Sequence, residues 1–259
     1  MNGRRRVAGF LILFAAFMVP GALAVLGGGG SAVADAPPVS LAQAETDLAM
    51  QGQLLYEERC ASCHGAGGIG TAQGPGIVAL GPAAYDFMMS TGRMPLAQPG
   101  AQAVRKEPTL TPAQIKAITA YLVAKSPESG TPIPNVHAGA GSLSEGERIF
   151  QLNCAPCHSA TGNGGAVGPE AAPNLKHATP IQIGEAVRIG PGTMPVFDSG
   201  VVSDQQLNSL VRYVLYLRHP DDRGGLALNL GGPVVEGFVG IVIGLGSVVI
   251  VMRFIGERS

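Results

Sequence analysis

Charged residues are scarce in this chain of 259 residues, at 14% of the total, against about 25% in typical globular domains. The formal net charge is −1, so the sequence carries no overall field that would attract nucleic acid. Strand-like alternation of apolar and polar residues does not persist anywhere, which predicts mainly helical domains. Glycine and proline, at 38 and 20 residues, indicate domains that are rich in loops.

Cysteine is also rare. The chain has four, and none is left over for a structural disulfide. They form two Cys-x-x-Cys-His motifs, Cys60-Ala-Ser-Cys63-His64 and Cys154-Ala-Pro-Cys157-His158. Two thiols on one helical turn face the same way, so they can add to the two vinyl groups of one haem. The adjacent histidine then supplies an axial iron ligand, and each motif predicts one covalently bound haem c, two in all.

Two other interpretations of the cysteine pairs compete with haem attachment. A zinc site would pool both pairs on one ion and would not require a histidine directly after each second cysteine. A redox-active dithiol of the thioredoxin type should occur once, at a junction of strand and helix, and the sequence lacks a strand. Two copies of the complete motif therefore favour haem.

The amino-terminal segment has the order of an export signal. Arg4, Arg5 and Arg6 precede an uncharged apolar stretch over residues 7–26, and small residues follow up to Ala34. The stretch also matches the roughly 20 residues that cross a bilayer, so it can remain as an anchor. Cleavage after Ala34 and an uncleaved transmembrane anchor over residues 1–34 both stay open.

The carboxy-terminal residues 233–255 predict a transmembrane helix, because the centre of this apolar segment carries no charge. Arg253 and Arg258 close or follow it, just as arginines precede the first apolar segment. The positive-inside tendency places both arginine groups in the cytoplasm. The prediction is a protein of the cell membrane with its haem domains on the extracytoplasmic side.

Between these ends the sequence contains two copies of one repeat unit. We predict a first cytochrome c domain at residues 45–126, a linker at 127–141 and a second cytochrome c domain at 142–220. Each copy opens with a helical pattern before the motif, continues in a glycine-rich loop, reaches a Gly-x-Met-Pro phrase and closes with an amphipathic helix. The predicted fold is therefore mainly helical, with two tandem copies of one domain that resemble class I cytochrome c domains and a carboxy-terminal transmembrane helix.

Capping signals mark three of the predicted helix starts. Thr111 with Gln114 and Ser203 with Gln206 predict capping boxes at the two closing helices. Ser144 with Glu147 predicts a third box, at the helix that opens the second copy. Pro75 and Pro169 lie at similar places in the two glycine-rich loops, where a carbonyl can accept from a histidine Nδ1–H; the sequence does not settle whether either does.

The second axial ligand of each iron must come from elsewhere in its copy. Met194 is the methionine that lies between His158 and the terminal apolar segment, and His177 and His219 compete with it. Neither histidine has a counterpart in the first copy, whereas the Gly-x-Met-Pro phrase aligns Met194 with Met94.

Met88 and Met89 compete with Met94 in the first copy, and we interpret them as packing residues. His64 and Met94 are then the axial ligands of one haem, and His158 and Met194 those of the other. Such ligation suits transfer of single electrons and leaves no open position on the iron, which argues against catalysis at these irons.

These motifs and their order resemble the dihaem cytochrome c subunit of the actinobacterial cytochrome bcc complex. The resemblance extends over nearly the whole chain, and its most specific phrase is Ser90-Thr91-Gly92-Arg93-Met94-Pro95. It implies a subunit of a menaquinol-oxidising quinol–cytochrome c reductase, with a cytochrome b subunit and a Rieske iron–sulfur subunit. It also implies electron relay from the Rieske centre to an aa3-type cytochrome c oxidase in a supercomplex.

Two other functions stay open. A membrane-anchored dihaem cytochrome that serves a dehydrogenase on the outer side would use the same haem chemistry with a different partner. A dihaem peroxidase would need one haem with a vacant or labile axial position.

Overall fold

The computed structural model of the chain describes residues 40–99, 102–127, 129–167, 170–221 and 233–257. The predicted signal or anchor at residues 1–34 lies outside these ranges and stays a prediction. The described part is mainly helical, as the sequence predicts, and it holds one short antiparallel hairpin.

The two copies of the repeat fold with the same order of helices. The first contains α1 (Leu41–Arg59), α2 (Ala61–His64), a 3₁₀ turn (Ala66–Gly68), α3 (Pro82–Ser90) and α4 (Pro112–Lys125). The second follows a 3₁₀ turn (Ala138–Ala140) and contains α5 (Leu143–Asn153), α6 (Ala155–His158), β1 (Gly165–Val167), β2 (Glu170–Ala172), α7 (Pro180–Ile189) and α8 (Asp204–Tyr216). In each copy the first helix packs against the last, α1 on α4 and α5 on α8.

Each of these helix pairs meets at a glycine in the same place of the repeat. A Cβ atom at Gly52 would lie 1.9 Å from the carbonyl oxygen of Ala117 in α4. A Cβ atom at Gly146 would lie 2.0 Å from the carbonyl oxygen of Ser209 in α8. No side chain fits at either contact, so both crossings depend on the absence of a Cβ atom.

Aromatic pairs fill the core next to each glycine crossing. The rings of Tyr56 and Tyr121 have centroids 5.4 Å apart, and those of Phe150 and Tyr213 are also 5.4 Å apart. Tyr56 and Phe150 are completely buried one turn before their motifs. The opening helix of each copy is therefore fixed against the closing helix just ahead of the first cysteine.

The capping predictions are confirmed at both closing helices and are wrong at α5. Thr111 with Gln114 and Ser203 with Gln206 form complete capping boxes. At α5, however, the cap is Ser142, whose hydroxyl accepts from the backbone N–H of Glu145. The backbone N–H of Ser142 in turn donates to the hydroxyl of Ser209 at 2.9 Å. This contact with α8 fixes the start of α5 ahead of Ser144.

Polar contacts join the two halves around α3 and α7. The Gln182 amide of α7 donates to the carbonyl and hydroxyl oxygens of Ser90 in α3, both at 3.2 Å. Arg105 donates to Gln182 Oε1 at 3.0 Å and to the carbonyl oxygen of His177 at 2.9 Å. In the predicted linker, Thr131 pairs with the backbone of the first half, and Val136 packs on the core of the second.

The carboxy-terminal segment is a continuous helical stretch. It consists of α9 (Pro233–Phe238), a π-helical turn (Val239–Leu245) and α10 (Gly246–Gly256). Residues 235–256 are long and apolar enough to cross a membrane, and none of this stretch is buried against the described protein. Its large apolar side chains are therefore available to lipid or to another helix.

Candidate haem-binding sites

Both Cys-x-x-Cys-His motifs form the same single turn of helix. The backbone N–H of His64 donates to the carbonyl oxygen of Cys60 at 2.9 Å, and that of His158 donates to Cys154 at 2.8 Å. The chain then reverses through a left-handed residue, Gly65 in one copy and Ser159 in the other, with φ angles of 75° and 60°. The two thiols and the imidazole of each motif thus belong to one rigid turn.

A proline carbonyl oxygen lies beside Nδ1 of each motif histidine. Nδ1 of His64 is 2.8 Å from the carbonyl oxygen of Pro75, one of the two prolines whose role the sequence left open. The partner of His158 is Pro173, at 3.0 Å, rather than Pro169, which lies outside the described residues. The β1–β2 hairpin lengthens the second loop and brings the later proline into place. An Nδ1–H that donates to a carbonyl leaves Nε2 free to bind iron.

Burial keeps the first thiol of each motif protonated before haem attachment. It raises the pKa of Cys60 and of Cys154 to about 11; Arg59 opposes the shift at Cys60, and the neighbouring cysteine adds to it in each motif. A catalytic dithiol instead needs a lowered thiol pKa, so these environments do not fit the thioredoxin alternative. Burial also lowers the pKa of His158, against the effect of the Pro173 carbonyl, and so favours the neutral imidazole that binds metals.

The zinc alternative requires the two cysteine pairs to converge on one ion. Over the part of the chain that the structure describes, no three Cys, His, Asp or Glu side chains are grouped so as to hold a metal. Each motif is instead attached to its own core, Cys60 beside Tyr56 and Cys154 beside Phe150. The two pairs therefore have separate environments, as the haem interpretation requires.

In the second copy the structure brings all four predicted residues to one cavity. The cavity has a volume of about 570 Å³, and Cys154, Cys157, His158 and Met194 contribute to its wall. Most of the remaining wall is apolar, including Phe150, Ile183, Val187, Phe197, Leu210 and Val214. The competing His177 and His219 are not among the described residues that line it. An apolar cavity with two thiols, an imidazole and a thioether on its wall fits a covalently attached haem.

In the first copy the predicted residues are held by separate contacts. Cys60 packs against the first core, while the backbone N–H of Met94 donates to the carbonyl oxygen of Met88 at 2.9 Å. Met89 is buried in that core, in line with its interpretation as a packing residue. The pairing of His64 with Met94 on one iron stays a prediction.

The sequence patterns do not predict the part of the second cavity that the first half provides. Phe87, Met88, Arg93 and residues 102–105 line it, although they precede Cys154 by about 50 residues or more. No local pattern reveals such a contact, because it depends on how α3 and α7 meet. Arg93 differs from its counterpart Thr193 in the second copy, but only the structure shows that this charge is buried.

Both halves of the chain match family models of cytochromes. The family model for cytochrome c matches residues 49–125, and that for subunit III of the cbb3-type cytochrome c oxidase matches residues 141–214. The cytochrome bc1 complex cytochrome c subunit of Mycobacterium tuberculosis is 34% identical over 267 residues, which covers 99% of this chain and 92% of the relative.

Two further relatives show how widely the similarity extends. The subunit of the same name in Corynebacterium efficiens is 33% identical over 99% of this chain and 90% of its own length. A cbb3-type cytochrome c oxidase subunit CcoP from Azospirillum is 30% identical over 63% of this chain and 60% of its own length. Both halves match cytochrome families and full-length relatives align along nearly the whole sequence, so the chain is a c-type cytochrome that belongs to the family of cytochrome c subunits of the cytochrome bc1 complex.

Proposed function

We propose that this chain carries two haem c groups and relays electrons within a menaquinol-oxidising cytochrome bcc complex of the cell membrane. Cys60 and Cys63 attach the first haem, and Cys154 and Cys157 attach the second. The axial pairs are His64 with Met94 and His158 with Met194. The donor is the Rieske iron–sulfur subunit, bound beside a cytochrome b subunit, and the acceptor is an aa3-type cytochrome c oxidase.

The main support for this proposal is that the two motif turns have the same backbone geometry and the same hydrogen bonds. Each turn has the same backbone hydrogen bond from histidine to first cysteine and the same proline carbonyl at the histidine Nδ1. A single functional haem site would not require both copies to preserve this arrangement. Two sites on one chain suit a relay that replaces both a fixed and a mobile cytochrome.

A bound haem with both axial positions filled by the protein exchanges single electrons. The protein fixes each imidazole through a proline carbonyl, excludes water with an apolar wall and supplies a thioether sulfur. A dihaem peroxidase would need an open axial position, and the placement of Met194 on the second cavity wall argues against one there. A high-spin iron with turnover of peroxide would revive that alternative.

Support for the membrane location comes from the exposed apolar helix over residues 235–256. Arg253 lies near the end of this helix, so the positive-inside tendency favours a cytoplasmic carboxy terminus. The haem domains then lie on the extracytoplasmic side, where a Rieske domain and the electron entry of an oxidase are reached without crossing the bilayer.

Affinity purification from gently solubilised membranes tests the partners. We expect mass spectrometry to find a cytochrome b subunit, a Rieske subunit and aa3-type oxidase subunits with the full-length chain. Deletion of the gene should abolish oxygen uptake that depends on menaquinol. Recovery with a dehydrogenase and without cytochrome b or oxidase would instead support the dehydrogenase alternative.

A further inference from the structure

The cavity of the second copy contains a buried positive charge that comes from the first half of the chain. Arg93 lines this cavity together with Cys154, Cys157 and His158, and only 8% of the residue is exposed. Its guanidinium lies 4.7 Å from the centroid of the Phe87 ring, which is also part of the cavity wall. The first half therefore contributes a cation, and not only apolar surface, to the second site.

This guanidinium lacks a full set of hydrogen-bond acceptors. Nη1 of Arg93 is buried and has no hydrogen-bond partner among the residues that the structure describes. A buried donor without an acceptor is costly, and a buried unpaired cation more so. The described residues supply no acceptor for this atom, so a bound group can provide one.

The charges around the cavity also favour an anionic ligand. Its described lining contains two arginines, Arg93 and Arg105, and neither an aspartate nor a glutamate. Arg105 already has acceptors in Gln182 and the His177 carbonyl; burial lowers its pKa, and the negative charge of Glu107 partly offsets that shift. For Arg93 no carboxylate partner is found among the described residues. Arg93 is therefore the arginine of this cavity that lacks an anionic partner.

We propose that Arg93 of the first half binds a propionate of the haem attached at Cys154 and Cys157. The site of the second haem is then completed across the boundary between the halves, with Arg105 adding positive charge nearby. A haem has two propionate carboxylates, and a guanidinium binds a carboxylate through charge-assisted, bidentate hydrogen bonds. The second copy carries Thr193 in the equivalent phrase, so it has no arginine of its own there.

This inference rests on the proposed attachment of two haems, and it makes a separate prediction about their midpoint potentials. A positive charge held beside a haem stabilises the reduced form, which carries one positive charge fewer than the oxidised form. Removal of the Arg93 charge should therefore lower the midpoint potential of the second haem more than that of the first. If Arg93 instead bound a propionate of the first haem alone, its removal would lower the midpoint potential of the first haem more than that of the second.

The test uses the full-length chain in detergent, with Arg93→Gln, Arg93→Lys and Arg148→Gln compared with the unchanged protein. Arg148 is an exposed arginine of α5 and serves as the charge-matched control. A pyridine haemochrome assay first counts the haems, and a redox titration then gives both midpoints. The midpoint that moves in Met194→Ala identifies the second haem.

For Arg93→Gln we expect about a tenfold change in the reduction equilibrium of the second haem, or about 59 mV for one electron. Arg93→Lys should recover most of the shift, and Arg148→Gln should leave both midpoints in place. The resonance Raman band from propionate bending should change in Arg93→Gln as well.

An equal or larger shift of the first haem, or no shift beyond the Arg148→Gln control, would overturn the proposal. If Arg93→Gln fails to accumulate, Arg105→Gln carries the test. Arg105→Gln must then lower the second midpoint more than the first. A haem count below two in the unchanged protein would count against the proposed function itself, whatever the result for Arg93.

Discussion

The two halves of the chain share one framework and differ in what surrounds the motif histidine. In both, a glycine crossing and an aromatic pair fix the opening helix ahead of the first cysteine. His158, however, is 7% exposed beside a cavity that both halves line, whereas His64 is only partly buried. The repeat therefore specifies the attachment turn, while contacts between the halves specify its surroundings. The two proposed haems, in such different surroundings, should have different midpoint potentials.

The largest difference between the halves should appear when one axial methionine is removed. We expect Met94→Ala and Met194→Ala each to lower one midpoint by about 100 mV or more, since axial ligands can change haem potentials over about 0.8 V. Each change should open the sixth position of one iron and leave covalent attachment intact. Redox titration with optical spectra measures both effects. Two unchanged midpoints in either variant would refute that ligand assignment.

The glycine crossings should respond alike in the two halves. Gly52→Ala and Gly146→Ala each force a Cβ atom onto a backbone carbonyl, and we expect each to lower the free energy of unfolding by about 1–3 kcal/mol. Gly139→Ala is the control, because a Cβ atom there would meet nothing within 4 Å. Denaturant titration of the solubilised protein measures the three variants. A loss at Gly139 equal to the other two would contradict the packing argument.

A carboxyl pair between the halves should make stability depend on pH. Glu185 of α7 is 0% exposed, and burial, followed by the nearby Asp86 of α3, raises its pKa from 4.5 to about 9. The folded chain holds a proton at this site that the unfolded chain releases above pH 4.5. This contribution is therefore complete below pH 4.5 and is lost as pH rises through about 9.

Replacement of that glutamate tests the pair. Each unit of pKa difference corresponds to about 1.4 kcal/mol of stability. Glu185→Gln should therefore reduce the loss of stability between pH 5 and pH 9 by at least about 1.4 kcal/mol. Thermal unfolding at pH 5 and pH 9 compares it with the unchanged chain. We expect the unchanged chain to lose more stability between the two pH values. If the variant and the unchanged chain lost the same stability between pH 5 and pH 9, Glu185 would not be the group that holds the proton.

The smallest expected effect concerns a hydroxyl that the halves do not share. Tyr56 donates to the carbonyl oxygen of Gly65 at 2.9 Å, while its counterpart Phe150 has no hydroxyl. Tyr56→Phe makes the first half like the second and should cost about 1 kcal/mol, because the Gly65 carbonyl loses a buried partner. Denaturant titration measures the change. Unchanged stability would show that water satisfies this carbonyl equally well.

Local signals explain what the sequence could predict. The two motifs, the Gly-x-Met-Pro phrases and the caps at Thr111 and Ser203 depend on neighbours within a few residues, and the fold follows them at α4 and α8. Helix α7 carries a comparable signal in Thr179 with Gln182, which form a complete capping box that the sequence analysis did not use.

Contacts between distant residues explain what the sequence could not predict. Ser142 rather than Ser144 caps α5 because Ser209, from α8, binds its backbone. Pro173, which the sequence did not single out, lies beside His158 because a hairpin lies between motif and proline. The placement of Arg93 in the second cavity depends on how the halves meet, and no spacing along the chain reveals it.

The central claim is that each thiol pair binds its own porphyrin. A pyridine haemochrome assay on the purified full-length chain, combined with its protein concentration, measures it most directly. We predict two thioether-linked haems per polypeptide, falling to one when Cys60 and Cys63, or Cys154 and Cys157, are replaced by alanine. Fewer than two haems in the unchanged chain would contradict the account.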